Sequence, residues 1–211
     1  RHFTRFLFFC FIDVLCILLV AVMRLTLTAP IPAASTISKT YDLARLLQSK
    51  AGEQLRTYLS YQGSPFSDPY FSTFQLQLNE LPKALIKSYR EWYLMSDETR
   101  LKENYKAYAV YVEYLQLVLD DQEELNPSQA DLHKMLATTK ANLQGLLSNL
   151  SSILSSMGFE TPVVSDPLSS VSFSASAFEK KIRGYIVCKE YGLWMDRTVH
   201  DFIFLRSKYP A

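Results

Sequence analysis

Residues 96–157 read SDETRLKENYKAYAVYVEYLQLVLDDQEELNPSQADLHKMLATTKANLQGLLSNLSSILSSM. Mostly apolar side chains recur in this stretch at spacings of three and four residues, once before and once after Asn126-Pro127. Such spacing places each set on one face of a helix. The sets are Leu101, Tyr105, Tyr108, Val112, Leu115 and Leu119, then Leu132, Leu136, Thr139, Leu143, Leu146, Leu150, Ile153 and Met157. The pattern predicts helices over 96–124 and 127–157, and the short link between them makes them antiparallel neighbours.

Local signals mark the ends of these two helices. Ser96 is expected to cap the first, because a serine oxygen accepts hydrogen bonds from backbone N–H groups of the first turn. Asn126 and Pro127 predict the start of the second, as its N-cap and first-turn proline. Gly158 predicts its end, because glycine readily adopts the left-handed conformation that closes a helix.

Two further helices, over 37–62 and 177–207, flank this pair. Both carry apolar side chains at helical spacing. Ser176 and Glu179 form the S-x-x-E pattern of a capping box at the start of the last helix. The sequence therefore predicts four long helices in all.

The lengths of the connections predict the topology. Residues 63–95 and 158–176 form long links, whereas the middle link is short. A helix of roughly 30 residues is ~45 Å long, and an extended link of roughly 18 residues reaches up to ~60 Å. The prediction is an all-α fold, a long-chain four-helix bundle with up-up-down-down topology and two long crossover loops, in a single domain over residues 35–211. This connectivity is typical of growth hormone and cytokine bundles, and it favours a secreted signalling protein over an enzyme.

The first residues have the features of a targeting segment. Arg1 and Arg5 precede or flank an apolar run that extends to Met23 and is interrupted only by Asp13, and small residues follow. This order predicts a secretory signal peptide over residues 1–34, cleaved between about residues 28 and 35. An uncleaved signal anchor is the alternative, because the run is long; Asp13 argues against it, since a carboxylate is costly at the bilayer centre.

Charge and cysteine usage narrow the class of protein further. The chain has 22 Lys and Arg against 21 Asp and Glu, a net charge of +1 that argues against a nucleic-acid-binding protein. Cys10 and Cys16 lie in the predicted signal peptide, so Cys188 alone is expected in the mature domain, which then has no internal disulfide. We interpret Cys188 as a small buried hydrophobe rather than as a reactive or dimerising thiol.

Signatures of catalysis, metal binding and cofactors are missing from the sequence. His133 and His200 lie on predicted helices without further ligands at metal-binding spacing. The sequon Asn149-Leu150-Ser151 makes Asn149 a candidate glycosylation site. A bundle that carries a small apolar ligand is the alternative function; it would need gaps or polar groups within the stripes, which are nearly filled with large residues.

The segment Phe178-Glu179-Lys180-Lys181 carries the strongest functional signal. Its aromatic side chain lies in the first turn of the last helix, outside the core stripe that starts at Tyr185. An exposed aromatic beside a charged residue is typical of a binding hot spot. Packing of Phe178 beneath the preceding loop, as a hydrophobic staple, is equally compatible with the spacing.

Several segments, in the same order along the chain, resemble the ciliary neurotrophic factor and cardiotrophin-like cytokine branch of the interleukin-6 family. The resemblance extends over about residues 38–208. The matching segments are residues 39–45 and 58–66 around the first helix, 100–108 and 119–122 in the second, and 178–181, Gly184, Glu190, Trp194 and 197–201 in the fourth.

The resemblance implies a long-chain helical cytokine of neurotrophic type that cross-links cell-surface receptors and triggers JAK-STAT signalling. In this family a first surface binds a non-signalling alpha receptor, here implied to be the ciliary neurotrophic factor alpha receptor. A second surface, on helices one and three, binds the shared signal-transducing receptor. A third binds the leukaemia inhibitory factor receptor.

The resemblance also implies residues for two of these surfaces. The aromatic-x-x-lysine pair of the third surface falls on Phe178 and Lys181, and a nearby tryptophan of the first crossover corresponds to Trp92. The alpha-receptor surface would include Arg45 and Arg197. One turn beyond Arg45, where the ciliary factor carries a second arginine, this chain has glutamine.

Overall fold

The structure, a computed structural model, describes residues 33–68, 71, 78–84, 88–169, 171 and 174–210. The helices within these residues are α1 (Ala33–Ser60), α2 (Tyr89–Leu94), α3 (Asp97–Leu125), α4 (Ala130–Ser156) and α5 (Ala177–Lys208). The prediction of an all-α fold is confirmed for this part of the chain. Of the predicted signal peptide, residues 1–34, all but Ala33 and Ala34 lie outside the described residues, so its cleavage stays a prediction. Among the described helices, none combines the length and apolar character that a membrane span requires.

The four long helices form a closed bundle. Helix α1 packs against α4 and α5, and α3 packs against the same two helices. Each long helix therefore has two long neighbours, and the predicted four-helix bundle is confirmed.

Contacts at both ends of α3 and α5 give their relative direction. Arg100, near the start of α3, forms an ion pair with Asp201 near the end of α5. Lys180, near the start of α5, pairs with Glu124 near the end of α3. The two helices are therefore antiparallel.

Helix α1 is also antiparallel to α5. The Nε2 atom of Gln48 donates to Asp196 at 2.9 Å, and the hydroxyl of Tyr58 donates to the carbonyl of Lys181 at 3.0 Å. These orientations are consistent with the up-up-down-down topology, which stays a prediction.

The core consists of the stripes that the sequence predicts. In α3 and α4 all the stripe residues are buried except Tyr105 and Met157, which are half-buried. Large side chains such as Tyr108, Leu143 and Phe202 are fully buried in it. This packing gives no support to the alternative of a carrier for a small apolar ligand.

The helix ends agree with the local signals in three cases and differ in one. Gly158 ends α4 as predicted, with a φ of +76°. Ser96 caps α3 by accepting from the backbone N–H of Thr99, and Ser176 starts α5 with the predicted capping box.

The prediction that Asn126 caps α4 and that Pro127 lies in its first turn is wrong, because Asn126 closes α3 and the N-cap of α4 is Gln129. Its backbone N–H donates to the carbonyl of Gln122 at 2.8 Å, and its side chain is held by the same residue. Helix α4 then begins at Ala130, after a turn.

One short helix, α2, lies in the first crossover and was not predicted. A local signal for it exists, since Ser88 and Glu91 form an S-x-x-E capping box. Its six residues are too few for the periodicity that marks the long helices.

Helix α1 approaches α5 closely at Gly184. A Cβ atom on Gly184 would lie 2.0 Å from the hydroxyl oxygen of Tyr58 and 2.3 Å from its Cζ. The Tyr58 ring is fully buried, and its hydroxyl both donates to Lys181 and accepts from Gln122. The ring therefore cannot move aside without losing hydrogen bonds.

We predict that Gly184→Ala lowers the free energy of unfolding by about 1–3 kcal/mol, the usual cost of overpacking a core. The matched control is Gly145→Ala in α4, where an added Cβ meets nothing within 4 Å. The control is expected to stabilise by about 0.5–1 kcal/mol, because alanine favours the helix over glycine. Urea unfolding followed by circular dichroism measures both values; equal stabilities for the two variants would contradict the close approach.

Candidate functional site

The first turn of α5 positions Phe178 and Lys181. Ser176 is the N-cap, its hydroxyl accepts from the backbone N–H of Glu179, and the Glu179 carboxylate accepts from the Ser176 backbone N–H at 2.7 Å. This backbone bond, together with the Ser176 hydroxyl, holds the pKa of Glu179 below its ordinary value. The turn is thus fixed by a charged capping box.

Phe178 lies at the outer edge of an aromatic cluster. Its ring centroid is 5.5 Å from that of Phe66, which in turn is 4.9 Å from Phe71, and Phe71 packs edge-on against Tyr185 at 5.2 Å. Phe66 is only 2 % exposed, whereas Phe178 is 54 % exposed. One side of the Phe178 ring therefore rests on the crossover, as a staple would, and much of the ring remains accessible, as a binding anchor requires.

Lys181, three residues after Phe178, is held by the chain just after the end of α1. Its Nζ donates to the backbone carbonyl of Gln62 at 2.6 Å and lies 6.0 Å from the centroid of the Phe66 ring. A lysine ammonium has three N–H donors, and this bond uses one of them. The fold itself therefore holds the positive charge near Phe66, the ring on which Phe178 packs.

The structure does not bring Trp92 together with Phe178 and Lys181. The indole Nε1 of Trp92 donates to Asp201 at 2.7 Å, and its ring packs against Phe204 at 6.1 Å. These contacts are near the end of α5, a helix of 32 residues that is about 48 Å long. The reason is topological: α2 directly precedes α3, and the start of α3 lies against the end of α5.

The two arginines of the expected alpha-receptor surface differ in their exposure to solvent. Arg45 is exposed on α1, and its Nη1 donates to the hydroxyl of Tyr41 at 3.3 Å. Arg197 is largely buried, pairs with Glu103, and stacks over Trp194 at 4.6 Å from the ring centroid. Arg197 therefore links α5 to α3, whereas Arg45 is open to a partner.

Between α1 and α4 lies an open groove of about 400 Å³. Its lining mixes apolar residues with a charged rim, including Leu47, Met135, Lys50 and Lys134. Helices α1 and α4 are the first and third of the four long helices, on which the second receptor-binding surface is expected. Sequence reasoning assigned no residues to this surface, because the groove exists only once the two helices are packed.

The remaining candidate residues are the possible glycosylation site, the cysteine and the two histidines. Asn149 is half-buried on α4, and glycosylation there stays a prediction. Cys188 is buried, as predicted, and burial raises the pKa of its thiol to about 12 although the neighbouring Gln54 side chain acts to lower it. His133 lies beside the Gln122 carbonyl and His200 beside that of Asp196. In the described part of the chain no group of His, Cys, Asp and Glu residues could hold a metal ion.

We predict that Phe178 and Phe66 contribute very differently to stability. Phe66→Ala removes a buried ring and is expected to cost about 3–5 kcal/mol of unfolding free energy. Phe178→Ala should cost less than about 1 kcal/mol, because the ring is more than half exposed. Equilibrium unfolding in urea measures both; a large loss in Phe178→Ala would mean that this ring serves the fold rather than a partner.

Comparisons with known proteins show where the chain belongs. A model of the plethodontid receptivity factor family matches residues 16–211. The chain is 44 % identical to cardiotrophin-2 of Mus musculus over 197 residues, covering 93 % of this chain and 96 % of the relative. It is 30 % identical to cardiotrophin-1 of Mus musculus, with 78 % and 82 % covered. Ciliary neurotrophic factor of Homo sapiens is 23 % identical, with 81 % and 82 % covered.

These relatives are cytokines rather than enzymes, and the same holds for this chain. Its partners are accordingly cytokine receptors. The chain belongs to the plethodontid receptivity factor family, within the ciliary neurotrophic factor and cardiotrophin branch of the interleukin-6 family of cytokines.

Proposed function

We propose that this chain is a secreted, neurotrophic-type cytokine that brings together the leukaemia inhibitory factor receptor and the shared signal-transducing receptor of the interleukin-6 family. Their association would start JAK-STAT signalling. The observation that carries this proposal is the half-exposed Phe178 ring packed on Phe66, with the Lys181 ammonium held near the same Phe66 ring, at the start of α5.

This pair would bind the leukaemia inhibitory factor receptor. Phe178 would enter an apolar pocket of the receptor, and Lys181 would meet a carboxylate or carbonyl at its edge. The geometry favours tight binding because both side chains are already positioned, by Phe66 and by the Gln62 carbonyl, so little conformational entropy is lost on binding. Trp92 is left out of this surface, because it lies near the other end of α5.

The other receptors would use other faces of the bundle. The groove between α1 and α4 is the proposed site of the shared signal transducer. The exposed Arg45 supports a contact with the ciliary neurotrophic factor alpha receptor, whereas Arg197 would act there indirectly, by fixing α5 against α3. A glycan on Asn149 would cover part of α4.

The direct test is signalling. The secreted mature protein is applied to cells that carry the leukaemia inhibitory factor receptor and the shared transducer, with and without the alpha receptor, and phosphorylation of the downstream transcription factor is measured. A response that needs both signalling receptors supports the proposal. Folded, helical protein that gives no response in any combination would contradict it.

We predict that the double variant Phe178→Ala with Lys181→Ala keeps the fold and weakens binding to the leukaemia inhibitory factor receptor by at least ~2 kcal/mol, or about thirtyfold. Loss of a central aromatic anchor and its charged neighbour accounts for this size. The control is Leu193→Ala, which removes another exposed apolar side chain of α5, 46 % exposed, away from the first turn. Surface plasmon resonance with the receptor ectodomain measures all three proteins; a double variant that binds as tightly as the control would refute this assignment.

A further inference from the structure

The short helix α2 is not held in place by burial of its own side chains. It has six residues, and none of them is fully buried. A helix this short is unstable by itself in water. Its capping box, Ser88 with Glu91, closes the first turn but does not attach the helix to the bundle.

Trp92 attaches α2 through two hydrogen bonds. The indole N–H donates to Asp201 at 2.7 Å, and the backbone carbonyl of Trp92 accepts from Nη2 of Arg100 at 2.8 Å. The Arg100 guanidinium also contacts two aromatic rings, 4.6 Å from the centroid of Trp92 and 4.7 Å from that of Phe204. Every one of these contacts involves the Arg100–Asp201 pair or a ring beside it.

Asp201 is the point at which α2, α3 and α5 meet. Its carboxylate is fully buried and, besides Trp92, accepts from Arg100 and from Nδ2 of Asn104, the latter at 2.7 Å. The Nε atom of Arg197 lies 3.8 Å away. A buried carboxylate is costly unless donors surround it, so its preferred arrangement is the one in which the Trp92 donor is also in place.

The outer edge of α2 is strongly exposed. Tyr89 is 76 % exposed, Tyr93 54 % and Leu94 70 %. Tyr93 rests edge-on against Phe204 at 5.8 Å, and the Tyr89 ring lies 6.0 Å from that of Trp92 and 6.2 Å from that of Tyr93. The position of this apolar edge on the protein surface therefore depends on where Trp92 is held.

We propose that Asp201 is the positioning residue of α2: its buried carboxylate holds Trp92 and thereby fixes the exposed edge formed by Tyr89, Tyr93 and Leu94. The long helices are held together mainly by their apolar stripes, whereas α2 is held by directional, charge-assisted hydrogen bonds. Loss of these bonds frees α2 without dissolving the bundle. This role requires no receptor and is independent of the function proposed above.

Hydrogen–deuterium exchange of α2 tests the role of Asp201. Within α2 the amides of Trp92 and Met95 donate to the carbonyls of Ser88 and Trp92. In Asp201→Asn the side chain keeps its shape but loses its charge and one acceptor oxygen. A peptide covering residues 89–95 should then exchange at least about tenfold faster, which corresponds to about 1.4 kcal/mol. A peptide from the middle of α3, residues 111–119, serves as the internal reference.

The control for this variant is Asp196→Asn, an exposed carboxylate on the same helix whose partner is Gln48 on α1. It should leave α2 exchange at the wild-type rate. Folded Asp201→Asn protein whose α2 exchanges at the wild-type rate would overturn the proposal, and so would equal acceleration in both variants.

A second variant keeps the Arg100–Asp201 pair and removes the Trp92 donor together with part of the ring. Trp92→Phe retains an aromatic ring but lacks the indole N–H. We expect the same acceleration of α2 exchange, about tenfold, with a nearly unchanged rate in residues 111–119. Tyr93→Phe, which changes a neighbouring exposed aromatic of α2, is its control. If Asp201→Asn does not fold, because Arg100 is left as an unpaired buried charge, Trp92→Phe decides alone, and wild-type exchange of its α2 overturns the proposal.

Discussion

The register of α3 against α5 is set by two buried ion pairs, Arg183 with Asp121 at one end and Arg100 with Asp201 at the other. Apolar packing alone is non-directional, and a shift by one turn would still bury much of both stripes. A buried charge that loses its partner costs about 3–5 kcal/mol. A shift by one turn would break both pairs and is therefore strongly disfavoured. The Arg183 pair is bidentate, with bonds of 2.9 and 2.8 Å, and burial nevertheless raises the pKa of Asp121 above its ordinary value. Burying these charged side chains costs desolvation free energy. In return, the two pairs allow only one alignment of the ends of α3 with the ends of α5.

That alignment determines what each end of α5 presents to solvent. At its start the end of α1 and the first crossover come close, and Lys181 and Phe178 are positioned by groups that precede them by more than a hundred residues. At its end the start of α3 brings α2 with it. The two ends of α5 thus carry different aromatic surfaces. Phe178 lies near Lys181 at the start of the helix, and Trp92 is held by the buried Asp201 carboxylate near its end.

The long helices could be predicted because their signal is periodic and local. Each stripe residue needs only its neighbours three or four positions away, and α3 and α4 therefore agree with prediction within three residues at each end. The prediction that Asn126 caps α4 failed because an Asn-Pro pair between two helices can end the first helix or begin the second. The hydrogen bond from Asn126 to Gln122 shows that here it ends the first. The place of Trp92 was beyond sequence reasoning, since its partner Asp201 is 109 residues away. For Phe178 the spacing allowed a staple or an anchor, and the structure shows one ring with a packed side and an accessible side.

The buried thiol of Cys188, one of three cysteines in the sequence, has a consequence for the handling of this protein. In the native state it is inert, because burial raises its pKa to about 12 and water-borne oxidants do not reach it. In an unfolded chain the thiol pKa returns to about 8.5, and a thiolate fraction appears at neutral pH. Two unfolded chains can then become covalently joined through an intermolecular disulfide, a product that cannot refold into the bundle with Cys188 in its core. Aerobic unfolding is therefore expected to become irreversible and concentration-dependent, whereas unfolding under reducing conditions is expected to return the native bundle.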